Sequence, residues 1–284
     1  MDKKALIDML NRDLTDEHAA VIRYLIHAYQ EGEDTPVGAS LLSRSREEMW
    51  HMHWLGMIIG RLGGEPDFSI GPYPFDPASR ATMLKSYVEY EEKLIPHYTA
   101  EADKVDDPHI RRVLQREAWE SAIHARRFQR LLEKLSPEVA KGLPEGDHEL
   151  PPAFTEKLKE EFILKYTEML QHIRTSWVFQ AADAIGWKIM DQAMEKMKHL
   201  AMFAEALAED GSPLSFKAGA IDTSRAVGDA LQKAIEDLQS AGTRYEELRK
   251  DGEFVTHAGL VVKMDLAVRQ VEYQTDEIED WRKK

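Results

Sequence analysis

Residues 46–66 read REEMWHMHWLGMIIGRLGGEP. Leu55, Ile58 and Leu62 recur at the three- and four-residue spacing of one face of an α-helix, and Leu41 begins the same seam upstream. Glu48 and His51 fall on that seam. A seam at this spacing faces a protein interior, where an ionised carboxylate costs several kcal/mol unless something neutralises it. Glu48 and His51 are three residues apart, so a carboxylate and an imidazole point to one spot. The glycine pair Gly63-Gly64 ends the helix.

The neighbouring segments repeat the pattern. Ile7, Leu10, Leu14, Glu17, Val21 and Tyr24 form one seam, and Leu84, Val88, Glu91, Ile95, Tyr98 and Ala102 form another. A fourth carries Ile110, Val113, Glu117, Glu120 and His124. Carboxylates on four seams, with two histidines, imply a cation at the centre of a helical bundle. Glu17 and Glu91 supply one carboxylate each, and each precedes a tyrosine (Tyr24, Tyr98) by seven residues. On the fourth helix, Glu120 and His124 are about 6 Å apart in rise, which suits a metal pair about 3.5–4 Å apart. A local π-bulge would bring Glu120 into the three-residue position before the histidine. The rival pairing is Glu117 with Glu120, with His124 behind them. Taken singly, Glu17 or Glu91 could instead be a buried acid paired with Arg44 or Arg23. Trp50, Trp54 and Trp119 read as packing residues, and His18, His27, His53, His97 and His109 as surface or packing residues.

The chain has 284 residues, 31% of them charged and 43% hydrophobic, with no cysteine. That suits a soluble all-α protein without disulfides or thiolate ligands. A net charge of −14 argues against nucleic acid or anionic membrane as partner, because both need a basic face. No apolar run is long enough to span a bilayer. The amphipathic, acid-containing start is not that of a signal or transit peptide, so a cytoplasmic location is expected.

Helices are expected over about 4–30, from about 37 to 62, from about 78 to 105, and from there to about 135. The stretch EPDFSIGPYPFDP, residues 65–77, has no periodicity; thirteen residues reach roughly 40 Å. It could run the length of the bundle and leave the second and third helices parallel. Residues 1–137 then form one four-helix bundle, 138–152 a linker and 153–284 a second bundle, with helices at 153–183, 186–209, 223–250 and 254–282. SRAT at 79–82 echoes SRAV at 224–227, and His51 aligns with His199, an offset near 148. The second copy is degenerate. Leu170 is expected where Glu17 would sit, Lys196 matches Glu48, and only Glu195, His199, Asp265 and Glu272 survive near seam positions. One metal centre per chain is expected.

With LNRDLTDEHAAVIRYLIHA, REEMWHMHWLGMIIGRLGGEP, EYEEKLIPHY and DDPHIRRVL…IHARRF in view, the chain resembles the ferritin-like superfamily, near bacterioferritin and rubrerythrin. The resemblance covers residues 5 to about 135 and only weakly the second half. It implies two iron ions (or manganese) bridged by carboxylates, with O2 or H2O2 as oxidant. Carried over, Glu17 and Glu91 are terminal ligands, Glu48 bridges, and His51 and His124 bind one metal each. Ser121 stands where the family places its last bridging Glu. No cysteine-rich module is present, so a separate electron donor is implied. Met49 stands where bacterioferritin has its haem-ligand Met, but a single helical methionine reads as packing and haem is not expected. The expected activity is ferroxidase- or peroxidase-type oxidoreductase chemistry in iron handling or peroxide defence. The alternatives are a non-catalytic stress or assembly protein that keeps the fold without the metal, and an oxygenase with an organic substrate. Expected partners are metal ions and O2 or H2O2, and a homodimer is the assembly a fused double bundle allows.

Overall fold

The computed structural model describes residues 1–143, 146–182 and 185–283. The middle of the expected linker, the last position of the expected helix 153–183 and Lys284 lie outside them. Among the described residues every regular element is helical, so the all-α class holds. The chain divides into two compact units, residues 1–145 and 146–284. No helix among the described residues is long and apolar enough to cross a membrane.

Unit 1 is built on α1 (Lys3–Glu31), α2 (Pro36–Arg61), α3 (Arg80–Ala102) and α4 (Pro108–Lys134). Each start has a local cause. Asp2, Thr35 and Asp107 accept hydrogen bonds from first-turn backbone N–H groups of α1, α2 and α4. Pro36 and Pro108 occupy first-turn positions, where no N–H is needed. α3 begins at Arg80 rather than near residue 78, because Ser79 and Thr82 form a reciprocal capping box. Asp76 instead closes a turn on the backbone N–H of Ala78. α1 ends at Gly32, whose φ of 83° suits glycine.

Short turns make α1 pack on α2 and α3 on α4 as antiparallel pairs. The crossover, residues 62–79, lies along α1. Asn11 bonds the Glu65 carbonyl and the Asp67 N–H, and Gly71 N–H donates to the Thr15 carbonyl. Farther up, Arg23 sits 3.5 Å from the centre of the Phe75 ring, and Tyr73 donates to the Tyr24 hydroxyl. The crossover therefore runs with α1 and delivers α3 to the end of α1, where Arg80 pairs with Glu31 at 2.6 Å. α2 also starts at that end, so α2 and α3 run parallel, as the loop length suggested.

On α3 and α4 a neighbour takes the expected seam position. Leu94 and Leu114 are buried, and Ile95 and Val113 sit at the margin. The start of the expected linker is ordered: Ser136 caps a short α5 (Pro137–Lys141), and Arg80 N–H donates to the Gly142 carbonyl.

Unit 2 contains α6 (Pro152–Val178), α7 (Ile185–Glu209), α8 (Val227–Leu248) and α9 (Ala258–Arg282). α9 begins later than residue 254. The Asp251 carboxylate accepts from the N–H groups of Glu253 and Phe254, and a 3-10 turn, Phe254–Thr256, precedes the helix.

Candidate metal centre

Four helices each bring a buried group to the middle of unit 1. Glu17 comes from α1, Glu48 and His51 from α2, Glu91 from α3 and His124 from α4, and all are at most 2% exposed. They form two triads. Glu17, Glu48 and His51 each offer a ligand atom within 4.8 Å of the others, and so do Glu48, Glu91 and His124. Glu48 belongs to both. These buried Glu/His clusters can hold metal ions.

The distances show how the triads meet. His51 Nδ1 lies 3.2 Å from Glu17 Oε2 and 2.8 Å from Glu48 Oε2. His124 Nδ1 lies 2.7 Å from Glu48 Oε1 and 3.6 Å from Glu91 Oε1. The His124–Glu48 approach is close but not aligned as a hydrogen bond. His124 Nδ1, Glu48 Oε1 and Glu91 Oε2 are buried with no hydrogen-bond partner among the described residues. These converging atoms are ones a shared cation could take once their protons leave.

The outward nitrogens are also tied. His51 Nε2 donates to Glu120 on α4 at 2.7 Å, and His124 Nε2 donates to Glu47 on α2 at 2.6 Å. Each of these helices thus carries Glu-x-x-x-His, and each Glu holds the other helix's histidine. A carboxylate on the far nitrogen fixes the tautomer that leaves Nδ1 free to ligate. The tyrosines are exchanged in the same way. Tyr24 of α1 donates to Glu91 at 2.6 Å, and Tyr98 of α3 donates to Glu17.

Glu120 is therefore not among the clustered ligands; its side chain is 24% exposed and it holds His51 from outside. α4 is a regular α-helix here, without the expected π-bulge. Regular spacing carries its buried face through Leu114, Glu117, Ser121 and His124, and Glu120 falls on the flank. Ser121, three residues before His124, contributes no carboxylate. Glu117 is fully buried, and neither carboxylate oxygen has a hydrogen-bond partner among the described residues. It does not join the triads but lies within electrostatic range of His51 and Glu17. The bridging of His124 by Glu47 was not foreseen; its signal is the repeated Glu-x-x-x-His spacing of α2 and α4.

The arginine alternative takes a different form. Arg44 pairs with Glu47 at 2.9 Å, and Arg23 stacks on Phe75. Trp50 and Trp119 are exposed, while Trp54 lies under the Arg116 guanidinium.

Charge in the cluster is balanced by protons. Burial pushes the Glu17 carboxyl up to about 8, against the pull of His51. Burial also raises Glu91 and, more strongly, Glu117. Burial works against the charged form of Glu48 too, but His124 and His51 outweigh it and hold Glu48 well below the usual range. Burial disfavours both imidazolium ions, yet Glu17 and Glu48 hold His51 well above its ordinary value. Glu48 and Glu47 likewise hold His124 up to about 12. A cation entering here must displace those protons.

Unit 2 answers the same electrostatic problem with built-in ammonium groups. Lys165 is fully buried and donates to Glu168 at 2.5 Å. Its Nζ lies 4.9 Å from the Tyr245 ring centre. Arg244 bonds Glu168 and Glu161. Lys196 is fully buried as well. His199 pairs with Gln270, and Gln274 donates to Glu195. Asp265 pairs with Arg249 near the surface. Every three-residue cluster of ligating groups found among the described residues lies in unit 1. Neither a scan of protein-family models nor a search of curated proteins returns a match.

Proposed function

We propose that unit 1 is a ferritin-like bundle that holds two iron or manganese ions and performs ferroxidase- or peroxidase-type redox chemistry with O2 or H2O2. The observation that carries this reading is the pair of buried triads sharing Glu48, each closed by one terminal carboxylate and one Nδ1. Glu17, Glu48 and His51 would hold one ion, and Glu48, Glu91 and His124 the other. Carboxylates with a few imidazoles suit Fe(II) or Mn(II). Bound there, two adjacent redox ions supply electrons to a small oxidant.

The chain's own groups prepare the site. Glu120 and Glu47 aim Nδ1 of His51 and His124 inward. Tyr98 and Tyr24 hold Glu17 and Glu91 in place. Full burial keeps bulk water from the ligands. Three carboxylates facing two divalent ions leave one positive charge, and Glu117 stands in range to cancel it once ionised. The sequence has no cysteine, so none of these residues offers a sulfur ligand to an electron-transfer centre through cysteine.

A second reading, a non-catalytic stress or assembly protein, draws on the protonated histidines, which neutralise the acids without metal. Anaerobic Fe(II) loading followed by exposure to O2 or H2O2 separates the two. About two irons per chain, oxidised faster than in buffer and lost in Glu48→Gln, are expected. No iron above background in the folded chain overturns the metal reading.

A further inference from the structure

A third group of ligating side chains lies outside the shared-glutamate centre. Asp13 sits one turn before Glu17 on α1, roughly 6 Å of rise away. His97 and Glu101, on α3, flank Tyr98, the residue that bonds Glu17. His97 Nε2 is 2.9 Å from Asp13 Oδ1 and 3.6 Å from Glu101 Oε2. One ligand atom from each of the three lies within 4.8 Å of the others.

A protonated His97 between two acids is the simplest account of this group, and it is incomplete. Asp13 is fully buried and Glu101 is 5% exposed. Asp13 Oδ2 and Glu101 Oε2 are both buried without a hydrogen-bond partner among the described residues. Two buried carboxylates and an imidazole, each offering one ligand atom within 4.8 Å of the others, match the donor set of a divalent cation. His97 differs from the central histidines in reaching solvent, with 39% of its side chain exposed. Glu117, whose oxygens are unpartnered, lies in electrostatic range of both Asp13 and Glu17.

We propose that Asp13, His97 and Glu101 form a separate site for one divalent cation, which captures the ion at the surface and passes it by way of Glu117 to the buried centre. The capture site stands on its own geometry; the hand-over rests on the di-metal reading above. His97, read from sequence as a surface or packing residue, becomes the entrance ligand. Asp16, half-buried and in range of Asp13 and His97, adds negative potential at the mouth.

Co(II) titration of the full chain, followed by native mass spectrometry and visible absorption, tests the site. Wild type takes three ions per chain, Glu48→Gln keeps the one at Asp13, and His97→Ala keeps the central two. Glu101→Gln repeats the His97 result without touching the exposed ring, and circular dichroism confirms that each variant is folded. A folded Glu48→Gln chain that binds no Co(II) overturns the capture site. Two ions in wild type, both retained in His97→Ala and Glu101→Gln, also overturn it and leave the central reading standing. One ion, lost in His97→Ala but kept in Glu48→Gln, supports the capture site and removes the central pair. For the hand-over, His97→Ala slows Fe(II) loading of the centre several-fold at sub-saturating iron; an unchanged rate overturns the passage.

Discussion

His51 and His124 each face the cluster with one nitrogen and a carboxylate of the opposite helix with the other. That arrangement makes Glu120 a positioning residue for His51. It is partly exposed and pairs with Arg116 on its own helix, so its removal leaves the core intact. Glu120→Gln is expected to weaken metal affinity about 10–100-fold with little change in thermal stability. Isothermal titration beside a melting curve checks both halves. An unchanged affinity would show that His51 keeps its orientation without the carboxylate. The direction of the pH effect follows from the same groups. Glu17 and His124 hold protons at neutral pH in the metal-free state, so affinity falls as acidity rises.

At the level of elements, the crossover does more than connect α2 to α3. Its Tyr73 donates to Tyr24, which donates to Glu91, so a segment with no helical periodicity supports one ligand. Gly71 sets how closely it approaches α1. A Cβ there would lie 2.8 Å from the Thr15 carbonyl oxygen and 2.7 Å from Asp16 Oδ1. Since the first of these atoms is backbone, the strap has to move. Gly71→Val is expected to cost about 1–3 kcal/mol and to lower metal affinity as well. Chemical unfolding and titration read the two effects. A melting temperature and affinity equal to wild type would mean that the strap adapts without disturbing Tyr24.

Over the whole chain, the two units carry opposite solutions to buried charge. Unit 1 keeps acids and histidines balanced by protons or cations, and unit 2 keeps lysines. Lys196 shows what the second solution costs. Burial and neighbouring Lys165 push it down to about 7, against the opposing pull of Glu168, Asp237 and Glu195. Its folded value lies below its unfolded one, so the unfolded chain binds more protons between pH 7 and about 10.5. The penalty is full below pH 7 and fades as pH rises toward 10.5. Lys196→Met should therefore stabilise the protein at pH 7 by on the order of 1–4 kcal/mol, with a smaller gain at pH 9.5. Urea unfolding at the two pH values measures it. A destabilised variant at pH 7 would show that Lys196 is net favourable in its pocket.

Local chemistry determined the helices of unit 1, and the crossover's length allowed the parallel course of α2 and α3. The three- and four-residue spacing by itself places Glu17, Glu48, His51, Glu91 and His124 on interior faces. Spacing specifies a face, and a face is all that a helix carries by itself. Which group meets which across the bundle depends on how the helices pack. Glu120 left the cluster because α4 stayed regular, and Glu47 entered the site only through its contact with a histidine on another helix. The Asp13–His97–Glu101 group was hidden for the same reason: its members belong to two helices far apart in the chain, and His97 carries no interior signature. Lys165 was missed because a buried ammonium resembles any surface lysine until its partners Glu168 and Tyr245 are in place. Sequence thus set the helical faces and the ligand chemistry. Tertiary packing decided the pairings, because electrostatic and hydrogen-bond energies act over a few ångströms that only the assembled helices define.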